Sequence, residues 1–241
     1  MYIYLDNNII ISIEEGDINL DVMELMQISD FEFVYSYIHI LELLERVSGD
    51  KGKLRNQRYE TIKTITNNNY IFPDSNTVSV MTEDPKKVEQ TIIQNPYIFE
   101  RFRQKVNLFN IDRNTLIEKL GIERKKINNY SPAEVVKYIN QAFKLNFRTE
   151  LLSYIDKAGN SRRDRINSLF NLLDFVGFWK DKENSRSNLA RAYDASHAYF
   201  AGYCDYFVSN DKRARNKAIV VYSLLDINTN VVSFAEFLQN T

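Results

Sequence analysis

Apolar positions along this chain change period several times, and each change marks an element. Tyr2-Ile3-Tyr4-Leu5 is a short unbroken apolar run that stops on Asp6, and Tyr206-Phe207-Val208 is another, running into Ser209-Asn210-Asp211. Runs of this kind suit strands buried on both faces of a parallel sheet. Phe31-Glu32-Phe33-Val34-Tyr35-Ser36 alternates and predicts a second strand, after which Ile38, Leu41, Leu44 and Val47 take helical spacing until Gly49. A helix opens at Ile9 and ends near Gly16, and a short one is expected over 17–29 from Leu20, Val22, Met23 and Met26. Further on, the pattern predicts a helix over 54–66 and a short strand at 70–73. From Asp84 to Asp181 strand patterning disappears, and 86–94, 97–109, 113–120, 132–155 and 163–178 all suit helices. Ser131 is the expected N-cap there, with Pro132 in the first helical position. The last part reads as a helix from Ser187, a strand at 206–209, a helix over 212–225, a strand at 231–233 and a closing helix over 234–238.

Strand followed at once by helix is half of a parallel βαβ unit. The prediction is therefore an α/β fold, a central parallel β-sheet flanked by helices. It forms a single domain built from about 1–54 and 186–241 and interrupted by a large all-helical insertion at about 55–185. With 241 residues the chain can bury a substantial core. No apolar run reaches the length of a membrane span, and no basic-then-apolar leader opens the sequence. A single cysteine, Cys204, precludes an intrachain disulfide, and two histidines leave little for soft-ligand metal chemistry. A cytoplasmic protein without a membrane is expected.

Net charge is −1, but it is unevenly spread. Residues 1–50 carry eleven Asp/Glu against Arg46 alone, while 101–191 carry nineteen Lys/Arg against ten Asp/Glu, an excess of 9. An acidic segment beside a basic one fits a cation site next to a polyanion-binding surface, and equally fits solvated helices. Arg162, Arg163 and Arg165 form one basic cluster, and Lys212 and Arg213 directly follow Asp211.

Carboxyl ends of parallel strands are where α/β sites form, and Asp6 and Asp211 both lie at such ends. Glu42 lies in the helix after the second strand, and Asp194 in the helix before the Asp211 strand, on a face made small by Ala190, Ala198 and Ala201. A carboxylate on an apolar face is costly to bury unless it is paired or binds a cation. Gathered together, these four acids suit Mg²⁺ or Mn²⁺, which take oxygen ligands and can promote phosphodiester hydrolysis. Asp205 precedes its strand and reads as a helix-end or loop residue, and Glu45, almost a turn beyond Glu42, competes with it for the same role. His39 and His197 read as packed or hydrogen-bonded helix residues, and Cys204 as a small buried hydrophobe.

Leu5-Asp6-Asn7-Asn8, the run from Ser36 to Leu44, the block from Asp194 to Lys212 and the closing Val231–Leu238 together resemble the PIN-domain nucleases. The resemblance covers roughly residues 1–50 and 187–241. It implies a PIN-like fold and a Mg²⁺- or Mn²⁺-dependent nuclease with Asp6, Glu42, Asp194 and Asp211 as catalytic metal ligands. It also implies that Asn8 and Ser209 orient those ligands by hydrogen bonds. RNA is the substrate it favours, so an endoribonuclease of toxin or defence-effector type is expected, with nucleic acid and an antitoxin or other regulatory protein as partners. Lys212, Arg213, Arg162, Arg163 and Arg165 are the expected nucleic-acid contacts. The alternatives are a structure-selective DNA nuclease of flap-endonuclease type and a non-catalytic PIN-like module that binds RNA or protein.

Overall fold

A computed structural model describes residues 1–18, 31–46, 52–74, 77–95, 97–98, 113–123, 127–180 and 185–240. Most of each helix expected over 17–29 and 97–109 lies outside them, as do Arg124, Lys125 and Lys126. The described chain separates into two compact units. One holds 1–101, 200–211 and 229–241; the other holds 102–199 and 212–228.

The first unit is an α/β unit around a four-stranded sheet in the order β2-β1-β5-β6, with β1 Tyr2–Leu5, β2 Glu32–Val34, β5 Tyr206–Val208 and β6 Asn230–Val232. All three pairings are parallel, so all four strands end on the same edge. Tyr4 stands opposite both Val34 and Phe207, and Leu5 opposite Val208. Ile3, Tyr4, Leu5, Phe33, Val34, Phe207 and Val208 are all buried, which is why these strands read as continuous apolar runs. Helix α1 (Asn7–Glu15) follows β1 directly and ends at Gly16, whose φ of 80° is the left-handed cap glycine adopts without strain. Helix α2 (Tyr37–Arg46) follows β2, and α3 (Gly52–Thr66) packs against α1 and β2.

Residues 55–185 are not all-helical. Strands β3 (Asn69–Asp74) and β4 (Thr77–Thr82) form an antiparallel hairpin, and Tyr35 hydrogen-bonds Asn69 and Ile71 to attach it beside β2. The bend into the hairpin falls on Asn67 and Asn68, with φ of 48° and 62°, a region asparagine tolerates better than most residues. Helix α4 (Pro85–Gln94) follows, capped by the Asp84 side chain.

In the described residues the second unit is helical: α5 (Arg113–Leu120), α6 (Pro132–Phe147), α7 (Leu151–Ile155), α8 (Arg162–Phe175), most of α9 (Ser185–Ala201) and α10 (Lys212–Leu225). Val135, Ile139, Phe143, Ile166, Leu169, Phe170, Leu173 and Val220 fill its core. Ser131 caps α6 in a reciprocal box with Glu134, ahead of Pro132, as the sequence predicts. The single helix expected over 132–155 is broken, because Arg148 takes a left-handed conformation (φ 51°) and Glu150 starts a new helix. Inside this unit Asp174, 1 % exposed, receives Arg191 Nη1 at 2.6 Å and Lys217 Nζ at 3.4 Å; Lys217 itself is fully buried. Helix α11 (Phe234–Asn240) closes the first unit. No helix among the described residues is long and apolar enough to cross a membrane.

Two expectations follow. Removing the carboxylate of Asp174 strands two buried cations, so Asp174→Ala should destabilise the helical unit by about 3–5 kcal/mol, read as a shift in chemical denaturation. Burial pushes the Cys204 thiol well above its usual range, so it should resist thiol reagents at pH 8 in the native protein and react on unfolding.

Candidate functional site

The order β2-β1-β5-β6 reverses direction at β1, since the chain leaves β1 first to one side and later returns on the other. Crevices form at such a switch point, outside the carboxyl ends of the two central strands. Asp6 follows β1, and Ser209-Asn210-Asp211 follows β5. The amide of Asp6 still donates to the Val208 carbonyl at 2.9 Å, so the two ends are held side by side.

Around Asp6 the side chains form a closed network. Ser209 Oγ donates to Asp6 Oδ2 at 2.7 Å, and Asn8 Nδ2 donates to the same oxygen at 2.7 Å. Asn8 Nδ2 also reaches Ser209 Oγ at 3.0 Å, while its Oδ1 accepts the Asn210 amide at 3.1 Å. The Asp211 amide donates to Ser209 Oγ at 3.1 Å. Asn8 and Ser209 thus fix both the Asp6 carboxylate and the backbone that carries Asp211. Asp6 is buried and Asp211 exposed.

Glu42, 4 % exposed, sits in the middle of α2. Asn7 Nδ2 donates to its Oε2 at 2.5 Å, which ties it to the residue next to Asp6. Asn7 was not singled out from the sequence, and its place beside Asp6 at a strand end was the available signal. Tyr4 lies behind the pair. Its hydroxyl, fully buried and bonded to Ser36 Oγ at 2.7 Å, has a pKa raised chiefly by burial, with the nearby charges of Asp6 and Glu42 adding to the shift.

Asp194 belongs to the helical unit, half-buried on α9, whereas Asp6, Glu42 and Asp211 belong to the sheet unit. Among the described residues no three His, Cys, Asp or Glu side chains gather as a ready-made metal group. Asp205 is structural: its Oδ2 accepts the Tyr2 amide at 2.7 Å at the start of β1. His39 and His197 are both buried. Of the basic candidates, Arg165 grips Asp156 with two bonds of 2.7 and 2.9 Å. Arg163 lies over the Tyr199 ring, and the Lys212 ammonium stands 5.1 Å from the Trp179 ring centroid.

Ser209→Ala deletes the hydroxyl on which Asp6, Asn8 and the Asp211 amide converge. A hydrogen bond to a charged group contributes about 1.5–3 kcal/mol, so a loss of that size is expected in chemical denaturation. Combining it with Asp6→Asn should give less than the sum of the single effects, and strict additivity would show that the two side chains do not interact.

Compared with known protein families, curated proteins and solved structures, the chain matches none.

Proposed function

We propose that this protein is a metal-dependent nuclease that hydrolyses phosphodiester bonds, with RNA favoured as substrate on the PIN-domain resemblance alone. One observation carries the reading. Two adjacent parallel strands end on Asp6 and on Ser209-x-Asp211, and a serine and two asparagines orient the Asp6 and Glu42 carboxylates there.

The donor set suits a hard cation, because every candidate ligand is a carboxylate oxygen. Mg²⁺ keeps several waters and takes only one or two protein carboxylates, so the lack of a closed three-acid group among the described residues does not conflict with it. Asp6 and Glu42 are the proposed ligands held most firmly, with Asp211 on the same sheet edge. When bound, such an ion supplies Lewis acidity for the attack of water on phosphorus. The protein's share is orientation. Ser209 and Asn8 fix one oxygen of Asp6, and Asn7 fixes one oxygen of Glu42, so little reorganisation is left for the moment of reaction.

A non-catalytic nucleic-acid-binding module is the second reading, favoured by the excess of 9 Lys/Arg over Asp/Glu in residues 101–191. A toxin or defence effector with an antitoxin, and a structure-selective DNA nuclease, are narrower forms of the nuclease proposal.

Purified protein incubated with labelled single-stranded RNA and DNA, with Mn²⁺ or with chelator, decides between the readings. Cleavage that needs Mn²⁺ and falls at least a hundredfold in both Asp6→Asn and Asp211→Asn, with the fold retained, is expected. Equal rates in wild type and variants would remove the nuclease reading. Binding has its own probe, since the sequence contains one tryptophan, Trp179, with Lys212 over its ring. An oligonucleotide contacting Lys212 should change Trp179 fluorescence, and the apparent affinity should fall steeply between 50 and 200 mM salt.

A further inference from the structure

Among the described residues, three helices open on a serine whose backbone amide is capped by the side chain three residues on. At Ser131 and Ser233 that side chain is a glutamate: Glu134 Oε2 accepts the Ser131 amide at 2.7 Å, and Glu236 Oε2 the Ser233 amide at 2.7 Å. At Ser36 the place is taken by His39, whose Nδ1 accepts the Ser36 amide at 3.0 Å. A glutamate serves the helix start well enough. Histidine brings something more, a second ring nitrogen on the opposite side.

That nitrogen is in use. His39 Nε2 lies 2.8 Å from the carbonyl oxygen of Leu5, the residue before Asp6. A carbonyl only accepts and a backbone amide only donates. Nε2 therefore carries the proton, and Nδ1 keeps the lone pair that the Ser36 amide requires. This tautomer is assigned from its partners, and the 3.3 Å approach of Nδ1 to Ser36's own carbonyl is then a non-bonded contact. Tyr4, Ser36 and His39 are each fully buried, and the Tyr4 and His39 rings are 4.9 Å apart, so the imidazole has little room to turn.

We propose that His39 is a positioning residue for Asp6 and Glu42. One neutral imidazole clips the end of β1 to the first turn of α2, and Glu42 stands three residues beyond it on that helix. With the Asn7–Glu42 bond, the strand end and the helix are joined at two points. The consequence for metal binding rests on the nuclease reading; the clip itself does not.

His39→Asn separates the clip from the cap. Asparagine Oδ1 can take the place of Nδ1 and still accept the Ser36 amide, but the side chain ends short of the Nε2 position and cannot donate to the Leu5 carbonyl. In metal-free wild-type protein, the Asn7 side-chain amide should give a downfield, exchange-protected proton resonance from its bond to Glu42. His39→Asn should keep its helical circular dichroism, lose that resonance, and bind Mn²⁺ about tenfold to a hundredfold more weakly. A variant with the Asn7 resonance intact overturns the proposal, and so does one with wild-type Mn²⁺ affinity. Should His39→Asn not fold, the imidazole ¹⁵N shifts of the wild-type protein decide. Protonated Nε2 with unprotonated Nδ1 at neutral pH supports the clip, and the opposite tautomer or an imidazolium overturns it. If the wild-type protein binds no Mn²⁺ at all, the metal reading falls, and the Asn7 resonance of the metal-free variant still judges the clip.

Discussion

The pairing of β1 with a parallel neighbour on each side is the constraint on which the sheet unit depends. Ile3 and Tyr4 are paired with β2 and β5 at once, Tyr2 with β2 and Leu5 with β5. Because both pairings are parallel, the carboxyl ends of all three strands must lie on one edge. Burial on both faces leaves no option of slipping the register, since a one-residue shift would turn every side chain to the other face. Where Asp6 stands relative to Ser209 is thus decided by backbone pairing before any side-chain bond forms. Ser209, Asn8 and Asn7 then act on carboxylates already delivered to within reach.

The protein buries carboxylates in two ways. Asp174 is surrounded by Arg191 and Lys217, so its charge is met by cations of the chain and contributes to the helical core. The donors described at Asp6 Oδ2 and Glu42 Oε2 are a hydroxyl and two side-chain amides, which orient an anion without cancelling its charge. Desolvating an ion is costly, and at Asp6 and Glu42 these hydrogen bonds offset part of that cost while fixing the direction in which each carboxylate faces.

Much of this was legible in the sequence, for physical reasons that differ by element. The strands β1 and β5 announce themselves because burial on both faces demands unbroken apolar runs, and Asp6 and Asp211 stand out as the polar stops. The capping box at Ser131 is a local signal and is read locally. Strand β4 went unread although Val78 and Val80 alternate with Thr77, Ser79 and Met81, because a lone alternating hexamer beside a helical stretch competes with stronger 3.6-residue periods nearby. The break at Arg148 has no sequence signal, since arginine is a good helix former and yet takes the left-handed conformation here. His39 reads from the sequence as a packed or hydrogen-bonded helix residue, but its partner Leu5, like the Glu42 partner of Asn7, is more than thirty residues away along the chain and has no local signal.

The hairpin, of which the sequence predicts the strand at 70–73 and not its partner, has a consequence for the edge of the sheet. A parallel sheet that stopped at β2 would show a row of unpaired amides and carbonyls on its outer side, a template for any other extended chain. Tyr35 spends its amide and carbonyl on Asn69 and Ile71 instead, so the hairpin begins its own pairing where β2 ends. The hairpin's other strand is β4, whose described side chains are half-buried or exposed and whose sequence carries no charge. A single residue thus turns the end of a parallel edge into the start of an antiparallel one.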